Sequence, residues 1–481
     1  MLREDDLTTL SDFYEFTMLD GFLSSGKENV IGCFDAFFRE VPDKGGFVIA
    51  AGLESIVRYL KSLTFTEEDV EYFKRLNMFS DKFIDYIKNF KFSCDVWAVP
   101  EGTPVFPGEP IVVVRGPVGQ AQIIETMLLL CMNHQSLIAT KANRIVRAAG
   151  GRAVMEFGAR RAQGYSAAVL GSRAAYIAGC QSTSCTITDR EYGIPVSGTM
   201  AHSWVSLFDS EYDAFKAYAQ RYPDKCVLLV DTFNVLKSGI PNAIKVFDEV
   251  LKPLGKRPLG IRIDSGDITY LSKKARKMLD DAGYPDCKIV ASNSLDEYII
   301  RDTIMQGAKI DSFGVGERLI TSKSEPVLGG VYKLCETEQD GVITPKIKIS
   351  ENVAKITTPC FKQVYRLFSK ESGEAFADVV TLHDETIDDS KPIEIFDPDH
   401  TWKRKTITDF YSKPLLIKIF DKGECVYDLP DVNEVRDYCS EQVNRIWDEV
   451  KRFENPHKYY VDLSEKLWSI KTELIKKHSN I

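Results

Sequence analysis

From Cys226 onward the chain alternates short apolar runs with stretches of helical period. The runs are Val227-Leu-Leu-Val-Asp231, Gly260-Ile-Arg-Ile-Asp264, Lys288-Ile-Val-Ala-Ser292 and Ile310-Asp-Ser-Phe-Gly314, and each ends on a small or acidic residue. Behind Asp267, the positions Ile268, Leu271, Ala275, Met278, Leu279 and Ala282 form one apolar stripe, and Gly283 stands where a helix would stop. The run ends recur roughly every 22 to 33 residues, the stride of successive β-α units in a parallel sheet. A barrel or a doubly wound sheet is predicted. In a parallel barrel, chemistry sits at the C-terminal strand ends, so Asp231, Asp264, Ser292 and Gly314 would converge on one mouth.

The rest of the chain has other rhythms. Residues 92–115 mix β-branched and aromatic residues with Pro and Gly, the punctuation of short antiparallel strands. Residues 118–149 contain no Pro and place Ile124, Leu128, Cys131 and Leu137 near helical spacing, which predicts at least one long helix. The acidic, Pro-containing stretch 385–400 reads as a surface loop or a crossing between units. Val435, Tyr438, Val443, Ile446, Trp447, Val450 and Phe453 predict one more helix, ended by Asn455-Pro456.

Composition narrows the class. With 481 residues, 44% apolar and 27% charged, the chain can form roughly three folded units and is not a disordered one. Lys plus Arg number 61 against 70 Asp plus Glu, a net charge of -9, which disfavours nucleic acid and anionic lipid as general partners and requires a local basic pocket for any anionic ligand. Eleven cysteines show neither zinc-site pairs nor the dense spacing of a secreted framework, so they read as reduced thiols of a cytoplasmic protein. The acidic start, Met1 to Asp6, lacks the form of an export signal, and no apolar run approaches the ~20 residues that span a bilayer.

Three places can carry chemistry. His202 follows a Gly-rich turn and is flanked by small and hydroxylated residues. Imidazole can act as nucleophile or acid/base at neutral pH; the plain alternative is a helix-start histidine bonded to backbone. Arg160 and Arg161 stand beside Phe157, so a guanidinium could grip a carboxylate or phosphate while the ring stacks on a flat heterocycle; the alternative is a surface ion pair with Glu156. In Asp264-Ser-Gly-Asp267, Ser265 and Gly266 can offer backbone N–H groups to phosphate, and the two carboxylates can meet ribose hydroxyls or a magnesium shell, although Asp267 is also a plain helix cap. Phe313 to Ser322, with Gly314 and Gly316, is a weaker phosphate-cradle candidate, and neither loop has the form of an ordinary P-loop.

Seven stretches in order, LSDFYEFTMLDGF, FGARRAQG, SGTMAHSWV, LLVDTFNVLKSGI, GIRIDSGD, LGGVYKL and NPHKYYVDLSEKL, resemble the nicotinate phosphoribosyltransferase family. The resemblance implies an α/β fold: an irregular, TIM-like barrel of the type II phosphoribosyltransferases, with an additional β-rich α+β domain. It divides the chain into an N-terminal β-rich part, 1–117, a central barrel, 118–345, and a C-terminal part, 346–481, that packs with the first. It also implies synthesis of nicotinate mononucleotide from nicotinate and 5-phosphoribosyl 1-pyrophosphate, coupled to ATP hydrolysis through a phosphohistidine, in the salvage route to NAD. Mg2+, a homodimer and active sites shared between subunits come with it. By motif, His202 is the phosphohistidine, with Asp264 the other catalytic residue. Arg160 holds the nicotinate carboxylate, Phe157 and Tyr14 stack on the pyridine ring, Tyr14 from the other subunit, and Thr199 lies near nicotinate. Arg262, Asp264, Ser265, Gly266 and the loop Gly314 to Thr321 take the ribose phosphate and pyrophosphate. The chain departs from the family where Glu317 and Arg318 follow Gly-Val-Gly, so phosphate contact there is assigned to Gly314, Gly316 and Thr321.

The nearest rival is nicotinamide phosphoribosyltransferase, which uses a carboxylate to accept an amide NH2. Gln181-Ser-Thr-Ser184 offers hydroxyls and no Asp or Glu, which suits the acid. A second rival is a homologue that binds phosphoribosyl ligands without turnover, against which intact His202, Arg160 and Asp264 speak.

Overall fold

Short apolar runs closed by polar residues become the strands of a parallel sheet, because a sheet covered on both faces calls for continuous apolar residues rather than alternation. The computed structural model describes residues 7–352 and 355–479, so the reading of Met1 to Asp6 lies outside the described residues. The chain forms two units, one spanning Ile138–Pro326 and the other made of the residues up to Leu137 together with those from Val327 onward.

In the first unit six strands lie side by side in the order Ser182–Thr183, Ala153–Glu156, Ser312–Val315, Lys288–Ser292, Gly260–Ile263, Val227–Leu229, and every pair is parallel. The register sets Ser292 beside Gly314, Val315 beside Glu156 and Leu229 beside Arg262, so the C-terminal ends share one edge. The sheet is parallel as predicted, but among the described residues no pairing joins its two outer strands into a barrel. After a single bridge, Thr183 to Val196, the chain turns to helices His202–Leu207 and Glu211–Arg221 where a closing strand would have to run.

The predicted helix after Asp267 spans Ile268–Asp281. Asp267 caps it by accepting from the Tyr270 N–H at 2.8 Å, and Ala275 and Leu279 of its stripe are buried with Ile261, Ile263 and Leu228. Asp267 is therefore committed to the helix.

The second unit interleaves both ends of the chain. Strand Ile31–Phe37 pairs antiparallel with Val112–Pro117 on one side and Val331–Gln339 on the other, within a seven-stranded sheet; a four-stranded sheet is built from Lys362–Ser369, Ala375–Leu382, Phe410–Pro414 and Tyr460–Leu463. The two compact units accordingly meet in the chain at 137/138 and 326/327. Strand Val331–Gln339 is tied to the N-terminal strand, and the long helix, Glu125–Ala148, runs across the first boundary. Two expectations change. The stretch 385–400 contains strand Ile393–Phe396, paired with Arg404–Ile407. The helix expected over 435–453 is Val432–Asn444; it stops where the Arg445 carbonyl accepts from the Ala375 N–H at 2.9 Å and Ile446 bridges to Ala375.

Beneath the four-stranded sheet lies a buried ion pair. Arg366 donates to both oxygens of Asp378 at 2.8 and 2.6 Å and to the Pro104 carbonyl, and the Tyr459 hydroxyl donates to the same carboxylate at 3.0 Å. Burial and the neighbouring Asp378 push Glu109 well above the usual carboxylate range, with Arg366 acting the other way. Asp378→Ala would strand a buried guanidinium and should lower stability by about 3 to 5 kcal/mol in urea unfolding. Replacing both partners by Leu and Met should cost less than that single change.

Candidate active site

The C-terminal edge of the parallel sheet holds a connected set of side chains. Arg262 leaves its strand with Nε donating to Ser292 Oγ at 3.1 Å and Nη1 donating to Thr199 Oγ1 at 2.9 Å and to the Met200 carbonyl at 3.5 Å. It thereby pins the irregular segment before His202 to the strand ends. Asp264, two residues on, accepts from Ser292 Oγ through one oxygen, which also lies 3.5 Å from Arg262 Nη2. Its other oxygen is 3.7 Å from His202 Nε2.

His202 opens helix His202–Leu207, but its ring bonds to a side chain rather than to backbone: Nδ1 lies 3.1 Å from Thr232 Oγ1. Opposite, Ser265 Oγ donates to Asp231 Oδ2 at 2.5 Å. Asp231 Oδ1 is buried with no hydrogen-bond partner among the described residues, an acceptor that awaits a donor or a cation. Thr199, His202, Arg262 and Asp264 thus form one network, with Ser265 on the adjoining pair. Asp231, Thr232 and Ser292 complete it. The sequence signal for them was only their position at or just past the end of an apolar run.

Phe157 and Arg160 follow the strand that ends at Glu156. Glu156 is fully buried and accepts from the Gly158 N–H, from Ser172 Oγ at 2.9 Å and from Thr183 Oγ1 at 2.7 Å. Burial raises its pKa while those donors work against the shift. The ion pair imagined between Glu156 and the arginines is therefore absent: the carboxylate is turned to holding its own loop. Arg160 is exposed and makes no hydrogen bond or ion pair among the described residues.

The Phe157 ring packs over Gly314, where a Cβ would come within 2.6 Å of the ring, and a Cβ on Gly158 would meet Ile320 at 2.6 Å. Gly314 is therefore required by the aromatic ring whatever else it meets. Thr321 Oγ1 donates to the Glu317 carbonyl at 2.7 Å. Glu317 pairs with Lys323 at 2.6 Å and lies 4.0 Å from Arg161, and Arg318 pairs with Asp296, so both departures from the family pattern serve ion pairs around the loop. Gly316 precedes the short helix Glu317–Ile320, and its carbonyl accepts from Leu319 and Ile320. Gly266 sits at φ +80° between Ser265 and the cap residue.

Tyr14 belongs to the other unit, on helix Phe13–Ser24. It is 45% exposed, and burial of its inner part together with the Glu125 carboxylate holds its phenol protonated well beyond the usual range.

Models of three parts of one family match in order: the nicotinate phosphoribosyltransferase N-terminal domain over residues 9–133, the nicotinate phosphoribosyltransferase family over 152–379, and its C-terminal domain over 361–471. The chain belongs to the nicotinate phosphoribosyltransferase family. A Bacillus subtilis nicotinate phosphoribosyltransferase is 43% identical, with 98% of this chain and 96% of that one aligned, and the Homo sapiens protein of the same name is 30% identical over 97% and 96%. The crystal structure of human nicotinic acid phosphoribosyltransferase superposes with a TM-score of 0.83 at 27% identity, covering 97% of this chain and 99% of that one. The same fold recurs in a nicotinate-nucleotide pyrophosphorylase from Pyrococcus furiosus, with a TM-score of 0.71 at 24% identity over 92% and 97%. Among the described residues no helix is long and apolar enough to cross a membrane.

Proposed function

We propose that this chain makes nicotinate mononucleotide from nicotinate and 5-phosphoribosyl 1-pyrophosphate in NAD salvage, coupled to ATP hydrolysis through phosphorylation of His202. The observation that carries this reading is the network in which Arg262 and Ser292 lock Thr199, His202 and Asp264 together at the strand ends. The partnerless Arg160 and the ring of Phe157 emerge from the same edge of the sheet.

In this reading the nicotinate carboxylate pairs with Arg160, and the face of Phe157 away from Gly314 packs on the pyridine ring. The ring nitrogen forms its bond to the ribose C1 carbon as the bond from C1 to pyrophosphate oxygen breaks, and pyrophosphate leaves with the electron pair. Fixing the nitrogen in line with that carbon is the chief task of the binding residues. Ser265 and Gly266, with the loop from Gly314 through Gly316 to Thr321, line the phosphate side. The donor set fits magnesium, which takes one or two carboxylates and keeps the rest of its shell for water and substrate phosphates; Asp264 and the half-satisfied Asp231 would hold it. It would neutralise the departing pyrophosphate. His202, steadied by Thr232 at Nδ1, keeps its other ring nitrogen toward the carboxylate side of the site.

The acid is favoured over nicotinamide because the carboxylate nearest Arg160 in sequence, Glu156, is fully buried and already engaged by three donors, so it does not face the ligand as an acceptor for an amide. We read the parallel sheet as the wall of an irregular barrel, and the exposed Tyr14 and Met18, one turn apart on the helix Phe13–Ser24, with exposed Leu10 just before it, as a surface covered by a second subunit whose site receives Tyr14. The eleven cysteines, none of them in a disulfide, fit a reducing, cytoplasmic setting. The purified chain should release pyrophosphate only when nicotinate and the phosphoribosyl donor are both present, with ATP raising the yield. Equal release with nicotinamide, or none with either, would overturn the assignment.

A further inference from the structure

The second unit contains a cavity of about 980 Å3 to which the reaction above gives no role. Its walls are the hairpin Ile393–Phe396 with Arg404–Ile407, the strand Tyr460–Leu463, the loop around Phe106 and the C-terminal helix Glu465–Ser479. A volume of that size matches small-molecule sites, which combine an apolar floor with a few directed polar groups. Here the apolar part of the lining is Phe376, Val380, Ile395 and Ile407, and the ring of Trp447 adds an aromatic surface.

The charge in this cavity runs against that of the whole molecule. In a chain of net charge -9, the cavity is lined by six Lys or Arg against three Asp. Arg404 is paired with Glu394, and Lys403 lies 4.0 Å from Asp397. Arg39, Lys405 and Lys458 have no ion pair among the described residues. Lys471 donates to the Thr358 hydroxyl at 3.2 Å, and burial pulls its ammonium below the usual range, with Asp399 acting the other way.

The opposite defect lies on the facing strand. Asp462 is only 4% exposed, lines the cavity, and its carboxylate accepts no hydrogen bond among the described residues. Burial and the neighbouring Asp397 push it up to about 7, with Lys458 acting the other way. A poorly solvated ammonium with no carboxylate at ion-pairing distance among the described residues and a buried carboxylate without a donor both carry a desolvation cost. One ligand with an anionic end and a hydroxyl or amino donor relieves both.

We infer that this cavity is a second ligand site, which takes a nucleoside monophosphate: the free lysines receive the phosphate, Asp462 accepts from a sugar hydroxyl, and the flat base lies against the apolar lining and Trp447. The site is separate from the catalytic reading, and its test does not use turnover.

Titration calorimetry on the full chain with adenosine monophosphate, adenosine and inorganic phosphate tests it. Adenosine monophosphate should bind, and Lys458→Ala and Lys471→Met should each weaken it about tenfold, the loss expected for one charge-assisted contact. Adenosine and inorganic phosphate should each bind at least about tenfold more weakly, because each lacks half of the recognised groups. His202→Ala should leave this binding unchanged. Lys458 is exposed, so its replacement tests the site even if Lys471→Met disturbs the helix. The inference is overturned if adenosine monophosphate fails to bind, if Lys458→Ala leaves its affinity within about twofold, if inorganic phosphate binds as tightly, or if binding is lost in His202→Ala instead.

Discussion

Arg160→Ala should raise the KM for nicotinate about 30-fold or more while changing that for 5-phosphoribosyl 1-pyrophosphate little. Removing one partner of a desolvated, hydrogen-bonded charge pair costs ~2 to 5 kcal/mol, and about 1.4 kcal/mol is a factor of ten. The side chain is free to meet a ligand because its alternative partner is taken: Glu156 is buried and holds Gly158, Ser172 and Thr183. That same arrangement makes the loss local, since no ion pair among the described residues depends on Arg160. Arg160→Lys should recover part of the affinity, because the charge remains but two parallel bonds to a carboxylate do not. Preference for nicotinate over nicotinamide should fall with it. Equal effects on both substrates would make Arg160 a structural residue instead.

How far the sequence could be read depends on whether the signal was local. The helix Ile268–Asp281 was legible from its stripe and its cap, and the parallel strands from apolar runs that stop on Asp or Ser. Where the helix Val432–Asn444 ends was not legible. Ile446 and Val450 continue the helical spacing because both are buried, although the chain there has already left the helix to meet Ala375. Strand Ile393–Phe396 hid inside an acidic, Pro-containing stretch, yet Ile-Glu-Ile-Phe carries the period of two that marks a strand.

The site divides in the same way. His202, Arg262 and Asp264 were visible as motif residues, whereas Ser292 matters through lateral contact between neighbouring strand ends and Thr232 through its contact with the histidine that opens a helix, each roughly thirty residues away in the chain. Gly314 was read as room for phosphate, and its neighbour turned out to be the Phe157 ring. A glycine demands close approach without saying by what.

His202→Ala should abolish stimulation by ATP while leaving some direct transfer, and only the native chain should acquire, from ATP alone, a phosphate that is labile in acid and stable in base. The ring is placed for this by Thr232 at Nδ1, with Nε2 on the side of Asp264. Tyr14 lies nearly two hundred residues earlier, exposed one turn before the exposed Met18 on the helix Phe13–Ser24. If that surface is covered by a second subunit, the two residues of one site come from different chains. Tyr14→Ala chains mixed with His202→Ala chains then form heterodimers in which one site has both residues native and the other has both lesions. Random pairing makes half of the dimers mixed, each with one good site of two, so coupled activity should recover to about a quarter of the native value in a twofold symmetric dimer. Subunit exchange verified by mass spectrometry with no recovery would mean that Tyr14 serves the site of its own chain. Recovery near a quarter would assign Tyr14 and His202 to opposite sides of one interface, and would explain why the helix Phe13–Ser24 leaves Tyr14 and Met18 open to solvent in a single chain.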